Sequence, residues 1–331
     1  MRNPFLITLL ALVLMLLLSL AIGSVFIPPA ELWRAASGVA SNDTFRTILW
    51  NIRLPRTVLI ALVGAALAGS GAAYQGLFRN PLADPYLIGV ASGAGLGAII
   101  AMSIRWPYTA LGLLAIPLAA FIASLLTVVI VYTLARIGGS VPTTNLILAG
   151  VAVSSFATSL TSFLMLRSNG EVRRAIGWLL GGVSLVNWNA ILALIPYLAV
   201  GLTTLILSGY ALNLLQFGDD QATQLGLNVR RAKIIIITAA SLVTAAAVSF
   251  AGIIGFVGLI VPHIVRIWWG VDYRKLIPLS ILGGASILLL ADVLSRIVLV
   301  QQELPVGIVT ALAGAPFFLW VLRRSKNQGI W

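Results

Sequence analysis

The chain has 331 residues, of which 60% are hydrophobic and 9% charged, with a mean hydropathy of +1.05 and a formal net charge of +12. That composition excludes an ordinary soluble domain and describes a polytopic membrane protein. The absence of cysteine excludes disulfide and thiol chemistry, and no polar stretch is long enough for a separate soluble module, so residues 1–331 read as one membrane domain.

Gaps between charges divide the chain into ten apolar spans. They run Phe5 to Ile27, Thr57 to Phe78, Tyr86 to Ile104, Thr109 to Ala135, Thr144 to Leu166, Ala190 to Tyr210, Ile234 to Phe250, a short Ile254 to Trp269, Leu276 to Ile297 and Val306 to Leu322. The expected fold is an all-α integral membrane protein with both termini on one side. The first span is longer than the apolar core of a secretion signal, so it reads as an uncleaved anchor. LLGGVSLVN, between Trp178 and Trp188, is too short to cross and is expected as a surface helix or partly buried turn.

Placing the termini in the cytoplasm puts 12 of the 21 Lys and Arg residues inside, a weak bias, but all three lysines fall inside and every outer cation is arginine. Arginine suits planar, bidentate carboxylate recognition. Arg53 and Arg56 precede the second span and Arg296 closes the ninth. Asp292 and Arg296 are four apart, hence on one helix face. In the second span Gly64, Ala68, Ala72 and Gly76 recur every four residues, and Gly93 and Gly97 repeat the spacing in the third, the pattern of close helix packing in lipid. Between these spans lies the polar turn RNPLADP, from Arg79 to Pro85, stiffened by Pro81 and Pro85.

Ser70 and His263, the only histidine, raise an intramembrane serine protease as a remote alternative, but the local AGSG lacks the first glycine of GxSG. The loop Phe217 to Lys233 carries Asp219 and Asp220 at its start and Arg230, Arg231 and Lys233 at its end, which suits a short helix with favourable charges at both termini. Ala222, Leu225 and Leu227 supply a small apolar face. None of the three lysines stands in a Walker A pattern, so this chain does not hydrolyse ATP by that machinery. Carboxylates are nearly absent from the spans, which disfavours the other alternative, an ion-coupled secondary transporter.

RLPR, NPLADP, GFVGLIVPH, ADVLSR and ELPVGIVTALAGAPFF occur in the order found in the FecCD family, which the chain resembles over nearly its whole length. The resemblance implies a type II ABC importer permease fold and a transport subunit for ferric siderophores, haem or cobalamin in a bacterial or archaeal cell membrane. Expected partners are a second copy forming a homodimer, two cytoplasmic ATPase subunits that bind ATP and Mg, and one soluble binding protein outside. No nucleic acid, no metal site and no cofactor of its own are expected. Matching positions assign docking to Arg53, Arg56 and Arg296, and an inner gate to Asn80, Leu82, Thr143 and Thr144. They assign ATPase coupling to Asp219, Asp220, Ala222, Leu225, Gly226, Leu227, Val229 and Arg230, with Gly226 permitting a bend between two short helices, and make the fifth span, from about Thr144, a lining of the pathway between two copies.

Overall fold

The computed structural model describes residues 3–23, 25–37, 43–104, 110–137, 141–167, 172–183, 186–299 and 302–328. Arg2 and Arg105 of the charge count fall outside them. The described residues form helices throughout apart from turns and loops. In chain order they are α1 (Pro4–Ala21), α2 (Pro29–Ala36), α3 (Asp43–Thr47), α4 (Leu54–Leu77), α5 (Val90–Met102), α6 (Ala110–Ala135), α7 (Thr143–Arg167) and α8 (Val172–Leu179). There follow α9 (Trp188–Leu207), α10 (Gly209–Leu215), α11 (Asp219–Gln224), α12 (Val229–Ala251), α13 (Val257–Trp269), α14 (Tyr273–Ile297) and α15 (Val306–Gln328).

Seven helical segments are long and apolar enough to cross a membrane, and Val90–Met102, Val257–Trp269 and Val306–Val321 are shorter apolar helices. Together these make up the ten expected elements, so the chain is a multi-pass membrane protein. A 13-residue helix is only about 20 Å long, less than the ~30 Å of a hydrocarbon core. The third and eighth spans therefore do not cross by themselves. The second is longer than expected: a π-helical stretch, Ile48–Arg53, joins α3 to α4, so helix runs without a break from Asp43 to Leu77.

α4 is the central post and is buried over most of its length, from Thr57 to Leu77. Its small residues let backbones touch. A Cβ on Gly64 would fall 2.3 Å from the Gly284 carbonyl of α14, and one on Gly71 would fall 1.9 Å from the Gly258 carbonyl of α13. Gly76 lies against Tyr273 and Leu212. The four-residue repeat thus serves α14, while Gly71, outside that repeat, serves α13.

Three interruptions meet inside the protein. Glycines 181 and 252, both with positive φ (76° and 72°), bring the turn after α8 against the loop before α13. Val306 at the start of α15 donates to the Gly181 carbonyl at 3.2 Å, and the Tyr86 hydroxyl donates to the Ile254 carbonyl at 2.9 Å. Irregular backbone survives within a membrane protein only where its polar groups are paired or wet, and here the pairing is supplied by neighbouring elements. Of LLGGVSLVN, Leu179 closes α8 and residues 180–183 form a partly buried turn, while Ser184 and Leu185 lie outside the described residues.

The start of α14 is fastened to α10. Asp272 caps α14 by accepting from Arg274 N at 3.0 Å, and it also accepts from Asn213 Nδ2 at 2.7 Å. The Asn213 amide, then the Arg274 N–H and the Arg274 and Lys275 charges, hold this carboxyl below the usual aspartate range. A depressed folded pKa contributes stability above the unfolded value of about 3.9, and that contribution is lost as pH falls through the folded value. Asp272→Ala should therefore lower stability by about 0.5–2 kcal/mol at pH 7, the cost of a lost cap. In thermal unfolding followed from pH 7 down to about 3, the gap from the unmodified protein should close in acid.

Candidate functional site

Helix α1 ends at Ala21, and its last carbonyls lack intrahelical donors. Two arginines supply them. Arg53 Nη1 donates to the Leu20 and Ala21 carbonyls at 2.5 and 2.8 Å, and its Nη2 donates to the Val25 carbonyl. Arg296 Nη1 donates to the Ser19 and Ile22 carbonyls at 3.2 and 3.0 Å, and Nη2 donates to Ser19 Oγ at 3.0 Å. Asp292, fully buried, sits between Arg56 Nε and Arg296 Nη2, each at 3.0 Å. Arg56 Nη1 reaches outward to Glu303 Oε2 at 2.5 Å.

The structure thus brings Arg53, Arg56 and Arg296 together, as their assignment to one surface requires. Their exposure is less than docking by all three would need. Arg53 and Arg296 are buried and engaged with α1, whereas the Arg56 side chain keeps 15% exposure. The carbonyls of α1 draw the guanidiniums inward because the last carbonyls of a helix have no intrahelical donors. Asp292 is held by two cations and is not free to act as an ion relay. Glu303 is a member of this cluster that spacing alone did not indicate.

The opposite end of α4 carries the turn and the loop. Asn80 Oδ1 accepts from Leu82 N at 2.9 Å, an Asx turn, with Asn80 exposed and Leu82 part-buried. Thr143 begins α7 part-buried, and Thr144 beside it is exposed. Gln216, following α10, donates to the Gly76 carbonyl at 2.9 Å, so the 217–233 segment lies at this same end.

That segment is two helices joined by a bend at Gly226, rather than the one short helix that its charges suit. α11 ends at Gln224, Gly226 turns with φ 86°, and Asn228 caps α12 by accepting from Arg231 N at 3.0 Å. Arg230, Arg231 and Lys233 therefore occupy the first turns of α12, the end where a cation opposes the helix dipole. Lys233 recovers part of that cost by pairing with Asp219 Oδ2 at 2.5 Å. Ala222 is buried, Leu227 packs on the core, and Leu225 is exposed. The expected apolar face is thus divided between the core and the surface.

Two cavities adjoin these elements. One, of about 390 Å³, is lined by Tyr132, Val141, Pro142, Asp219, Asp220, Thr223, Val229, Arg230 and Lys233, so the approach to Thr143 and the α11–α12 segment share a wall. The other, of about 570 Å³, is bounded by Asp84, Tyr86, Leu87, Val151, Ser154, Ser155, Thr158 and Ser159. Its hydroxyls come from one face of α7, and Gly150 lets the turn approach, since a Cβ there would lie 2.0 Å from the Leu87 carbonyl. The spacing 154, 155, 158, 159 is helical and was available in the sequence as a signal of this face.

Ser70 and His263 are not joined by a hydrogen bond among the described residues. Ser70 Oγ donates to the Leu67 carbonyl at 3.1 Å, and His263 meets Phe317 edge-on with ring centres 6.3 Å apart. The structure offers no nucleophile and base pair at these positions.

Comparison with known proteins agrees with this architecture. Residues 11–324 match the family model described as the FecCD transport family. A cobalamin import system permease protein, BtuC, of Halobacterium salinarum is 46% identical over 288 residues, 87% of this chain and 76% of the relative. A hemin transport system permease protein, HmuU, of Yersinia pestis is 41% identical over 324 residues, 95% of each chain. A metal-chelate type ABC transporter solved in an inward-facing conformation superposes with a TM-score of 0.84 at 29% identity, over 97% of this chain and 98% of that one. With its all-helical fold, its ten apolar elements and a match along nearly its whole length, this chain belongs to the FecCD transport family.

Proposed function

We propose that the chain is the permease subunit of a binding-protein-dependent ABC importer, two copies of which enclose a pathway for a metal chelate: a ferric siderophore, haem or cobalamin. ATP and Mg are bound by a separate ATPase subunit, both termini face the cytoplasm, and the α11–α12 segment meets that ATPase. The observation that carries this reading is the shared wall between the α11–α12 segment and the approach to α7. On this reading a push on the segment passes across that cavity to Val141 and Pro142, which lead into Thr143 and Thr144. Asn80 and Leu82 stand at the same end of α4, where the Arg79 guanidinium approaches Gly218. At the other end Arg56 presents the exposed part of a docking surface whose shape Arg53 and Arg296 hold.

Alternating access on this plan needs contacts that differ between the two states, not tight docking alone. The hydroxyl-lined face of α7 presents small polar groups without a tight polar cage, which suits a large chelate selected earlier by the binding protein.

Leu225 gives the sharpest test, because it is 58% exposed and its replacement leaves the core intact. Leu225→Asp should cut recovery of the ATPase subunit at least about tenfold on co-purification, the scale of a lost interface anchor. Chelate uptake into proteoliposomes should fall with it. Recovery and uptake both unchanged would remove the coupling assignment.

A further inference from the structure

Glu303 stands at the rim of the arginine cluster, in the non-helical stretch between α14 and α15. Its side chain is 53% exposed, and the Arg56 side chain that it meets is 15% exposed. Arg53 and Arg296 have turned to the carbonyls of α1, and Asp292 holds Arg56 from beneath. Three guanidiniums against the carboxylates of Asp292 and Glu303 leave one positive charge in the cluster. Of the two acids, Glu303 is the one that can leave without stranding a charge in the interior, because Asp292 stays in place and water reaches the vacated side of Arg56.

We propose that Glu303 is a built-in competitor for docking, holding Arg56 as an acidic residue of the binding protein would and swinging out when that residue arrives. This rests on the docking role given to Arg56 above. Exchanging one carboxylate for another at the same guanidinium nearly cancels in free energy, since an exposed ion pair is worth only up to about fivefold in an equilibrium. The exchange therefore lowers affinity modestly while rejecting partners whose carboxylate is not aimed at Arg56. It also keeps Arg56 paired in the undocked protein. Re-pairing with Glu303 then favours release of the spent binding protein after transport.

The test uses the permease with its ATPase in lipid nanodiscs, and the probe is the labelled soluble binding protein that stimulates that complex. Glu303→Gln keeps the side-chain volume and removes the charge. It should tighten Kd about three- to fivefold at low salt, with the gain shrinking near 0.5 M salt as screening removes the competition. In an Arg56→Gln background the same change should have no effect. Equal or weaker binding by Glu303→Gln, or a gain that persists without Arg56, overturns the proposal. If Arg56→Gln alone leaves docking unchanged at every salt concentration, the docking reading itself fails. If Arg56→Gln weakens docking while Glu303→Gln does nothing, only the competitor role is lost. A second readout needs no partner: phenylglyoxal should label Arg56 faster in Glu303→Gln, measured by mass spectrometry, and an unchanged rate counts against the competitor.

Discussion

Asp292→Ala should be among the most damaging single substitutions in this chain, lowering stability by about 3–5 kcal/mol, the range for removing one partner from a buried ion pair. The carboxylate is fully buried and shared by Arg56 and Arg296, each at 3.0 Å. Arg53 stands close by: a Cβ on Gly23 would fall 2.8 Å from Arg53 Nη2 and 3.5 Å from Arg296 Nη1, so the two guanidiniums flank one glycine. Without Asp292, three cations would share a low-dielectric corner with only the exposed Glu303 to offset them, and the α1 carbonyls cannot cancel a full charge. The measurement is thermal unfolding in detergent, alongside membrane yield. Asp292→Asn keeps the volume and should lose less, because its amide oxygen still accepts from one arginine. A loss under about 1 kcal/mol for the alanine variant would mean that water or lipid headgroups reach the cluster.

Gly71→Val should be comparably severe, at about 3 kcal/mol or more, above the usual cost of overpacking because the obstacle is backbone. The new Cβ would lie 1.9 Å from the Gly258 carbonyl, so α4 and α13 would have to separate. α13 starts directly after the Gly252–Phe256 loop, where Phe256 adopts φ 70° and its ring lies where a Gly314 side chain would be. Displacing α13 therefore disturbs that loop and α15 as well. Gly177→Ala in α8 is the control, with nothing within 4 Å of the added carbon. It should be neutral or gain a few tenths of a kcal/mol through lower unfolded-state entropy. Equal melting temperatures for the two variants would show that α4 and α13 do not need backbone contact.

Much of the architecture was legible because a membrane imposes strict composition rules. Apolar runs between charges located all ten elements, and the Gly64, Ala68, Ala72 and Gly76 spacing marked a packing face that meets Gly284. The Asp292–Arg296 pair followed from helical periodicity. Less legible were features that depend on what lies opposite. Nothing near Arg53 reveals that the end of α1 will sit over it and take its donors. Gly226 marked a bend in the 217–233 loop, but the charge pattern does not show that the second helix begins at Val229 and places cations at the end where its dipole disfavours them. Glu303 is 247 residues from Arg56, beyond the reach of any local pattern.

By itself the sequence determined the membrane setting, the number of apolar elements, the small-residue contacts and the family, because each depends on residue type and short-range period. Only the tertiary structure decided which helices fall short of crossing, which arginines are internal braces and which one stays partly exposed, and that the α11–α12 segment lines one cavity with Val141 and Pro142, just before α7. Hydrophobicity is nearly additive along a chain and can be read locally. The state of a charge depends on long-range pairing, and burial in low dielectric makes that pairing decisive.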